Sequence, residues 1–441
     1  MRKRRRRTSG VSLGTIATLT LLGLVVAGCV YLFPKLVGNI ELRVDPQTVS
    51  VAIDSSLRSL RGQSTAQQSA SPGATPATAP PLDIAAYETP TPSPTPVVTR
   101  SLTLTAAGSI NIDTKIQKAC TGADGYTFGP LFEQLSAQFN GDAGLATLEN
   151  LVIANEKLTN VNMPSDALTA IRSCGINVLC TGFPSAFNSG VAGLSATLDA
   201  ITQSGMTPYG TYVSQESRNH VTTLQVSDTM IALLSFQGEL SSSSKKNTSQ
   251  EEQAYMIAPL TLPEIAEEIT AARATGAQIV IVSLCWGKEG ANAPTDSQRE
   301  LAQGIAEAGA DIILGTHSSA LQTVEMLVSA RSDGTIRRTL CAYSLGDLLS
   351  SDRTDRECIS GVLLHIGMTY DLAKDSLTFD TLTYTPTYVW RGKLDGKTTY
   401  RVLVSNVSPP DYVGEDQRQV MERSLALVRD RLTDSAVKEA P

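Results

Sequence analysis

The spacing of apolar and polar positions changes character at about residue 100, and that change organises the reading of the chain. Beyond it, short apolar runs alternate with stretches whose apolar residues recur every three or four positions. The runs Leu102–Ala107, Leu151–Ala154, Ile176–Cys180, Val226–Ser235 and Ile279–Leu284 predict strands. The stretches Leu131–Phe139, Ala167–Ser173, Ala192–Ser204 and Leu262–Ala274 predict helices, and the polar segment Ser241–Gln253 predicts a mobile loop. Further on, Gly361–Tyr370 and Leu377–Tyr384 predict strands, and Pro386–Val404 a strand pair turning at Gly392 and Gly396. Glu415–Leu432 predicts an amphipathic helix that packs on the body or serves a partner. Strands alternating with helices imply an α/β sheet covered by helices. Folds of this kind place their sites in loops at strand ends.

Before residue 100 the pattern is different. Residues 1–10, MRKRRRRTSG, are basic, and 11–36 are apolar apart from small hydroxyls and Lys35. About 20 apolar residues span a bilayer as a helix, and Lys/Arg favour the cytoplasmic side. The pair predicts a single-pass anchor with the remaining chain outside the cell membrane. A cleavable lipoprotein signal competes, because Val26-Ala27-Gly28-Cys29 has the apolar, small, small, Cys order. Residues 37–61 form a juxtamembrane segment with an alternating stretch at Val49–Ile53. Residues 62–100, rich in Pro, Thr, Ser and Ala, cannot bury a core and predict a disordered, extended stalk. At about 3 Å per residue it reaches on the order of 100 Å. Residues 101–404 form the main domain and 405–441 a helix-containing tail.

Composition narrows the function classes. The 441 residues are 41% hydrophobic and 18% charged, ordinary for a chain that buries a core. The net charge of −7 conceals the basic cluster Arg2–Arg7; without it 30 positive charges face 43 negative ones. An acidic body excludes nucleic acid as a partner. Beyond Cys29 lie Cys120, Cys174, Cys180, Cys285, Cys341 and Cys358. They allow up to three disulfides or, for Cys285 and Cys341 in apolar runs, buried thiols. No CxxC pair suggests structural zinc.

The densest chemistry lies between Ile279 and Glu325, where IVIVSLCWGKEG is followed by PTDSQRELAQGIAEAGADIILGTHSSALQTVE. With the later YSLGD and PTYVWR segments, this run resembles the bacterial CapA family of capsule and poly-γ-glutamate synthesis proteins, relatives of the metallophosphoesterases. The resemblance covers roughly 102–404. It implies a four-layer α-β-β-α sandwich and a metal site at strand ends, and at most of that site's positions this chain differs. Where the family has a strand-end Asp after Gly, this chain has Ser109, and a hydroxyl is a weak ligand for a divalent cation. Asp113 is displaced by four residues. The family's NLE segment falls near Ile153–Leu158, and depending on one gap its carboxylate is either Glu156 or is lost as Asn155. The family's NNH and following Asp become Pro184, Ser185 and Asn188. HWG becomes Cys285-Trp286-Gly287, and GHHPH becomes Gly315-Thr316-His317-Ser318-Ser319. Only His317 matches a family ligand; Thr316 and Ser319 do not, and Trp286 is expected to pack beneath the site.

A two-metal hydrolytic centre needs several carboxylates and imidazoles. The resemblance therefore implies a membrane-anchored CapA-like protein that serves capsule or poly-γ-glutamate-type polymer biosynthesis as a non-catalytic binding or scaffolding module. It needs no cofactor, and its expected partners are an anionic surface polymer or envelope-synthesis proteins. The competing reading is an active hydrolase or transferase that uses a divalent metal on capsule or wall polymer. His220 and His365 carry structural roles in either case.

Overall fold

Two mixed sheets laid face to face organise residues 98–441, which the computed structural model describes apart from 332–333 and 353–356. The predicted basic segment, the anchor or signal at 11–36, the juxtamembrane segment and nearly all of the stalk lie outside the described residues. Among the described residues no helix is long and apolar enough to cross a membrane.

The chain runs up β1 (Thr99–Ile110), makes a two-residue hairpin (β2, Thr121–Gly122; β3, Gly125–Tyr126), and adds β4 (Ala143–Leu148), β5 (Val178–Cys180) and β6 (Thr207–Tyr209) parallel to β1. It crosses to the second sheet for β7 (Thr222–Val226), β8 (Thr229–Gln237), β9 (Ala258–Pro259), β10 (Ile279–Cys285), β11 (Ile312–Thr316), β12 (Val324–Ala330) and β13 (Ile336–Ala342). It then returns to the first sheet as β14 (Asp347–Leu349), β15 (Ser360–Asp371), β16 (Ser376–Leu394), β17 (Lys397–Val404) and β18 (Lys438–Glu439). The first sheet reads β17-β16-β15-β1-β4-β5-β6, with β14 beside β1 and β18 beside β16; the second reads β12-β13-β11-β10-β8-β7, with β9 beside β8.

Period-2 alternation explains the packing. Leu104, Leu145 and Val178 of the first sheet meet Leu233, Ile281 and Ile312 of the second in one buried cluster. The opposite-facing residues Ala146, Leu148 and Leu179 pack under Ile116, Phe132, Leu168 and Ile171. On the second sheet Val280, Val282 and Ile313 pack under Ile265, Ile269 and Ile305. The layers therefore run helix, sheet, sheet, helix. Strands β8 and β10 are apolar on both faces because both faces are covered.

Several local expectations shift. The predicted strand Leu151–Ala154 is reduced to a single bridge between Leu151 and Asn162, and the strand lies upstream at Ala143–Leu148. The predicted helix Leu131–Phe139 is a short 3-10 turn, Gly129–Phe132, followed by turns, since Gly129-Pro130 opens it tightly. Ser241–Gln253 carries two short helices, Ser242–Lys246 and Gln250–Met256, whose N-termini are capped by the Ser241 and Ser249 hydroxyls. Of the turn expected at Gly392 and Gly396, Gly396 holds: the hairpin turns at Asp395-Gly396, both with positive φ as a tight hairpin requires, and Gly392 lies within β16. The six described cysteines are buried thiols, none bonded to another. The C-terminal helix, Glu415–Arg431, buries Met421, Ser424 and Val428, and its Ser424 hydroxyl bonds Ser360 on β15. Gln417 accepts from the Trp390 indole at 2.7 Å and donates to the Arg391 carbonyl, which fixes the helix to β16.

His365 on β15 sits between two threonines, with Nδ1 3.1 Å from Thr105 and Nε2 2.8 Å from Thr385. Thr385 donates its own proton to Gln138, so Nε2 is the donor of the neutral ring. Burial pulls the imidazole pKa below its usual value. The unfolded chain therefore takes up a proton near pH 6.5 while the folded chain does not. Stability is expected to fall as pH drops from about 6.5 toward the folded value. Measured from pH 7 to 5, the urea midpoint of the wild type should fall relative to that of His365→Gln, which lacks the titrating ring.

Candidate functional site

The inward row of each parallel strand ends in a polar residue, and these ends meet at one edge of the sandwich. On β1 the register slips between Ala106 and Ser109. Such a bulge re-aims a side chain. It turns Ser109 toward the second sheet, where its Oγ lies 2.7 Å from Thr316 Oγ1 at the end of β11. The bulge is wedged against the loop before β14, and a Cβ on Gly108 would lie 1.7 Å from the Gly346 carbonyl oxygen. Gly346 itself has a φ of 72°, in the left-handed region.

On β4 the inward positions are Ala143, Leu145 and Thr147, and the next step of two is Glu149. Its backbone N–H donates to the Ile110 carbonyl at 2.9 Å. Its carboxyl is crowded by protein atoms while keeping some solvent contact, and Ser109, His317 and Glu289 are its electrostatic neighbours. Burial raises its pKa first; the Ser109 hydrogen bond and His317 oppose the rise, and Glu289 adds to it. Asp347 opens β14 directly beside Ser109 and is 5% exposed. Burial and then the Glu149 charge raise its pKa well above the carboxylate range, against hydrogen bonds from Ser319 and Ser350.

His317 and Ser319 follow β11 with φ of 89° and 57°. Non-glycine residues rarely adopt that conformation, and it is typical of functional loops. The loop is anchored by Gly290, whose N–H donates to the Ser318 carbonyl, and by Gln322, which donates to the Ala291 carbonyl, both at 2.8 Å. Cys285 points inward beside these groups. Burial, then Glu149 and Cys180, push its thiol far up, which favours the neutral thiol in the metal-free protein. Trp286 faces the outer layer, donating to the Tyr343 carbonyl at 3.0 Å and stacking on its ring.

The remaining positions are elsewhere or otherwise engaged. Asn155, with φ of 62°, and Glu156 sit on an exposed turn lining a separate cavity of about 600 Å³ with Asp166 and Asp199. Pro184, Ser185 and Asn188 form the turn after β5. There the Asn188 carboxamide oxygen accepts from Ser241 at 2.7 Å and Ser244 at 3.0 Å, and the Pro184 carbonyl accepts from the Ser241 N–H. Asp113 caps the helix Thr114–Ala119 and accepts from Ser351. Ser109, Cys285, Thr316, His317 and Ser319 thus gather at one site, joined by Glu149 and Asp347, which the sequence reading did not single out. Counting by twos along β4 finds Glu149, and Asp347 is the terminal acid of the YSLGD segment.

The residues present do not fit the two-metal centre that the family resemblance implies. Among the described residues, no three His, Cys, Asp or Glu side chains converge as a metal site. Two of the ligand positions are instead the hydroxyls of Ser109 and Thr316, bonded to each other.

A face-to-face α/β sandwich with its polar site at the strand ends belongs to a recognisable class, and the family comparison specifies it. The chain belongs to the bacterial capsule synthesis protein PGA_cap family, whose model matches residues 103–352. It is 25% identical over 270 residues to the PGA biosynthesis protein CapA of Bacillus subtilis (strain 168), covering 56% of this chain and 67% of that one. It is 23% identical over 258 residues to the capsule biosynthesis protein CapA of Bacillus anthracis, covering 56% of this chain and 59% of the relative. Looser likenesses among solved structures include Haemophilus influenzae NAD nucleotidase (TM-score 0.40, 10% identity, 78% of this chain and 57% of that one). Another is a Mycoplasma pneumoniae phosphatase (TM-score 0.36, 11% identity, 70% and 95%). Neither bears on function.

Two consequences are measurable. Gly108→Ala should cost about 2–3 kcal/mol, because backbone blocks the new methyl; a urea midpoint close to wild type would contradict the wedge. The folded pKa values of Glu149 and Asp347 lie above the unfolded ones. The pair therefore favours folding at pH below about 4, and that contribution is lost as pH rises toward the folded values. Asp347→Asn should accordingly raise Tm at pH 8 in metal-free buffer by roughly 2 °C.

Proposed function

We propose that this chain serves the assembly or attachment of a capsule- or poly-γ-glutamate-type surface polymer as a binding or scaffolding module. The observation that carries the reading is the Ser109–Thr316 hydroxyl pair, standing where a metal-holding site needs anions and imidazoles. Family membership supplies the polymer context, and the basic and apolar segments at 1–36 support anchorage at the membrane with the sandwich outside the cell. The acidic balance of the body favours a protein partner or an uncharged part of a polymer over a bare polyanion.

One observation favours the second reading, a metal-dependent hydrolase or transferase acting on capsule or wall polymer. Glu149, Asp347 and His317 lie at a single edge, and two carboxylates with an imidazole are a partial ligand set. The two readings part on metal content. After exposure of the full chain to Mn²⁺, Zn²⁺ and Fe²⁺, elemental mass spectrometry should find no near-stoichiometric metal. Stoichiometric metal that is lost in Glu149→Gln or His317→Ala would replace the binding-module reading with the enzymatic one. In cells, Glu149→Gln should restore surface polymer to a strain lacking the chain, which a catalytic carboxylate could not do.

A further inference from the structure

Gln237, the last residue of β8, is 1% exposed, and neither its Nε2 nor its Oε1 has a hydrogen-bond partner. Buried carboxamides are normally paired, so an orphaned one calls for an explanation. Its place in the sheet supplies one. Alternation along β8 points Ile231, Leu233 and Ser235 between the sheets, and Gln237 is the next step of two. In register it stands beside Cys285 of β10, which stands beside Thr316 of β11. Side chains in register across parallel strands share a face. Gln237 is therefore aimed into the same edge as the Glu149 and Asp347 carboxyls. The inward hydroxyls of Ser235 on β8 and Thr316 on β11 have other partners, Ser235 the Cys180 thiol at 3.3 Å and Thr316 the Ser109 hydroxyl at 2.7 Å.

We propose that Gln237 is the recognition residue of a metal-independent site for an amide group, a carboxamide or peptide unit of an otherwise uncharged ligand. This rests on the reading of the strand-end edge as a binding site and adds the chemical class that it takes. A carboxamide offers a donor and an acceptor side by side; its complement is a primary carboxamide, or the N–H and C=O of one residue in an extended peptide, either of which pairs with it in two hydrogen bonds. A carboxylate supplies acceptors only, leaves Oε1 unpaired, and meets Glu149, Asp347 and Glu289 in the same cleft. A simple cation leaves Nε2 unpaired. The excursion from Gly238 to Ile257 starts at the residue after Gln237 and returns as β9 beside β8. It carries the helix Ser242–Lys246, which is tied to the β5 turn through Asn188. Displacing that excursion would give a ligand group a route to an amide that has no open face.

The full chain should be titrated with N-acetylglycine N-methylamide and, separately, with glutarate, with binding followed by NMR. Gln237→Met keeps the length of the side chain and removes its polar atoms. The diamide should bind the wild type and glutarate should not. In Gln237→Met, diamide binding should weaken by about tenfold or more, while Tm rises by roughly 2 °C because an unpaired buried amide has gone. Gln237→Glu, which loses the Nε2 donor, should also lose the diamide. Unchanged diamide binding in either variant overturns the proposal, as does tighter binding of glutarate. A fall in Tm or a failure to fold in Gln237→Met overturns it too, because the amide would then have a structural partner such as a buried water. A Gln237→Met chain that keeps diamide binding and still supports surface polymer would refute this site while leaving the polymer-binding reading intact.

Discussion

Everything at the strand-end edge depends on how closely two stretches of backbone approach one another. Gly108 and Gly346 lie so near that a single methyl group has no room. That contact fixes the bulge in β1, and the bulge turns Ser109 across the gap to Thr316. Without it the alternation of β1 would carry on unbroken and the hydroxyl would point into the outer layer. The same contact sets β14 alongside β1, with Asp347 level with Ser109. One steric constraint therefore brings together a hydroxyl pair, a carboxyl pair and the His317 loop. Residues far apart in sequence contribute to it, and none of them could be placed by its own propensity.

How much of this was legible follows from burial. Strands covered on both faces, such as Ile279–Cys285, appear as continuous apolar runs and are read with little error. The segment Ala143–Leu148 is composed of Ala, Gly, Leu and Thr with no other β-branched residue, so local pattern does not distinguish it from a loop. With the strand expected at Leu151–Ala154, attention fell on Asn155 and Glu156, which are exposed, and Glu149 was passed over. The motif run from Cys285 to Ser319 was legible as a site because its residues are close in sequence. Asp347 and Gln237 were not, since each becomes part of the edge only through pairing with strands that sequence spacing cannot predict. Asn188 was expected in the site on the strength of its motif, but its carboxamide is committed to Ser241 and Ser244.

The edge is supported from its outer side, through the far face of the second sheet. Trp286 and Tyr343 remain stacked beneath it, with the indole donating to a backbone carbonyl over Gly315, where a Cβ would strike both. That support is indifferent to whether a metal, an amide or water lies above, because it acts through the outer face of the second sheet. Side chains on the inner face could therefore be exchanged without disturbing the loops that carry them. Acids retained among hydroxyls and a protonated thiol give a cleft that is polar but weakly attractive to anions.

Strand β1 joins two opposite ends of the sandwich. It begins at Thr99, level with the Asp371 end of β15, and finishes beside Asp347. Twelve residues of extended chain span roughly 35 Å. Thr99 and the cleft thus lie at opposite ends of one strand. A pull or a tether applied there acts along the strand, loading its hydrogen bonds in shear across β15 and β4 together rather than peeling them one at a time. A load carried by β1 would therefore reach the cleft as a change of reach and aim and not as a change of shape.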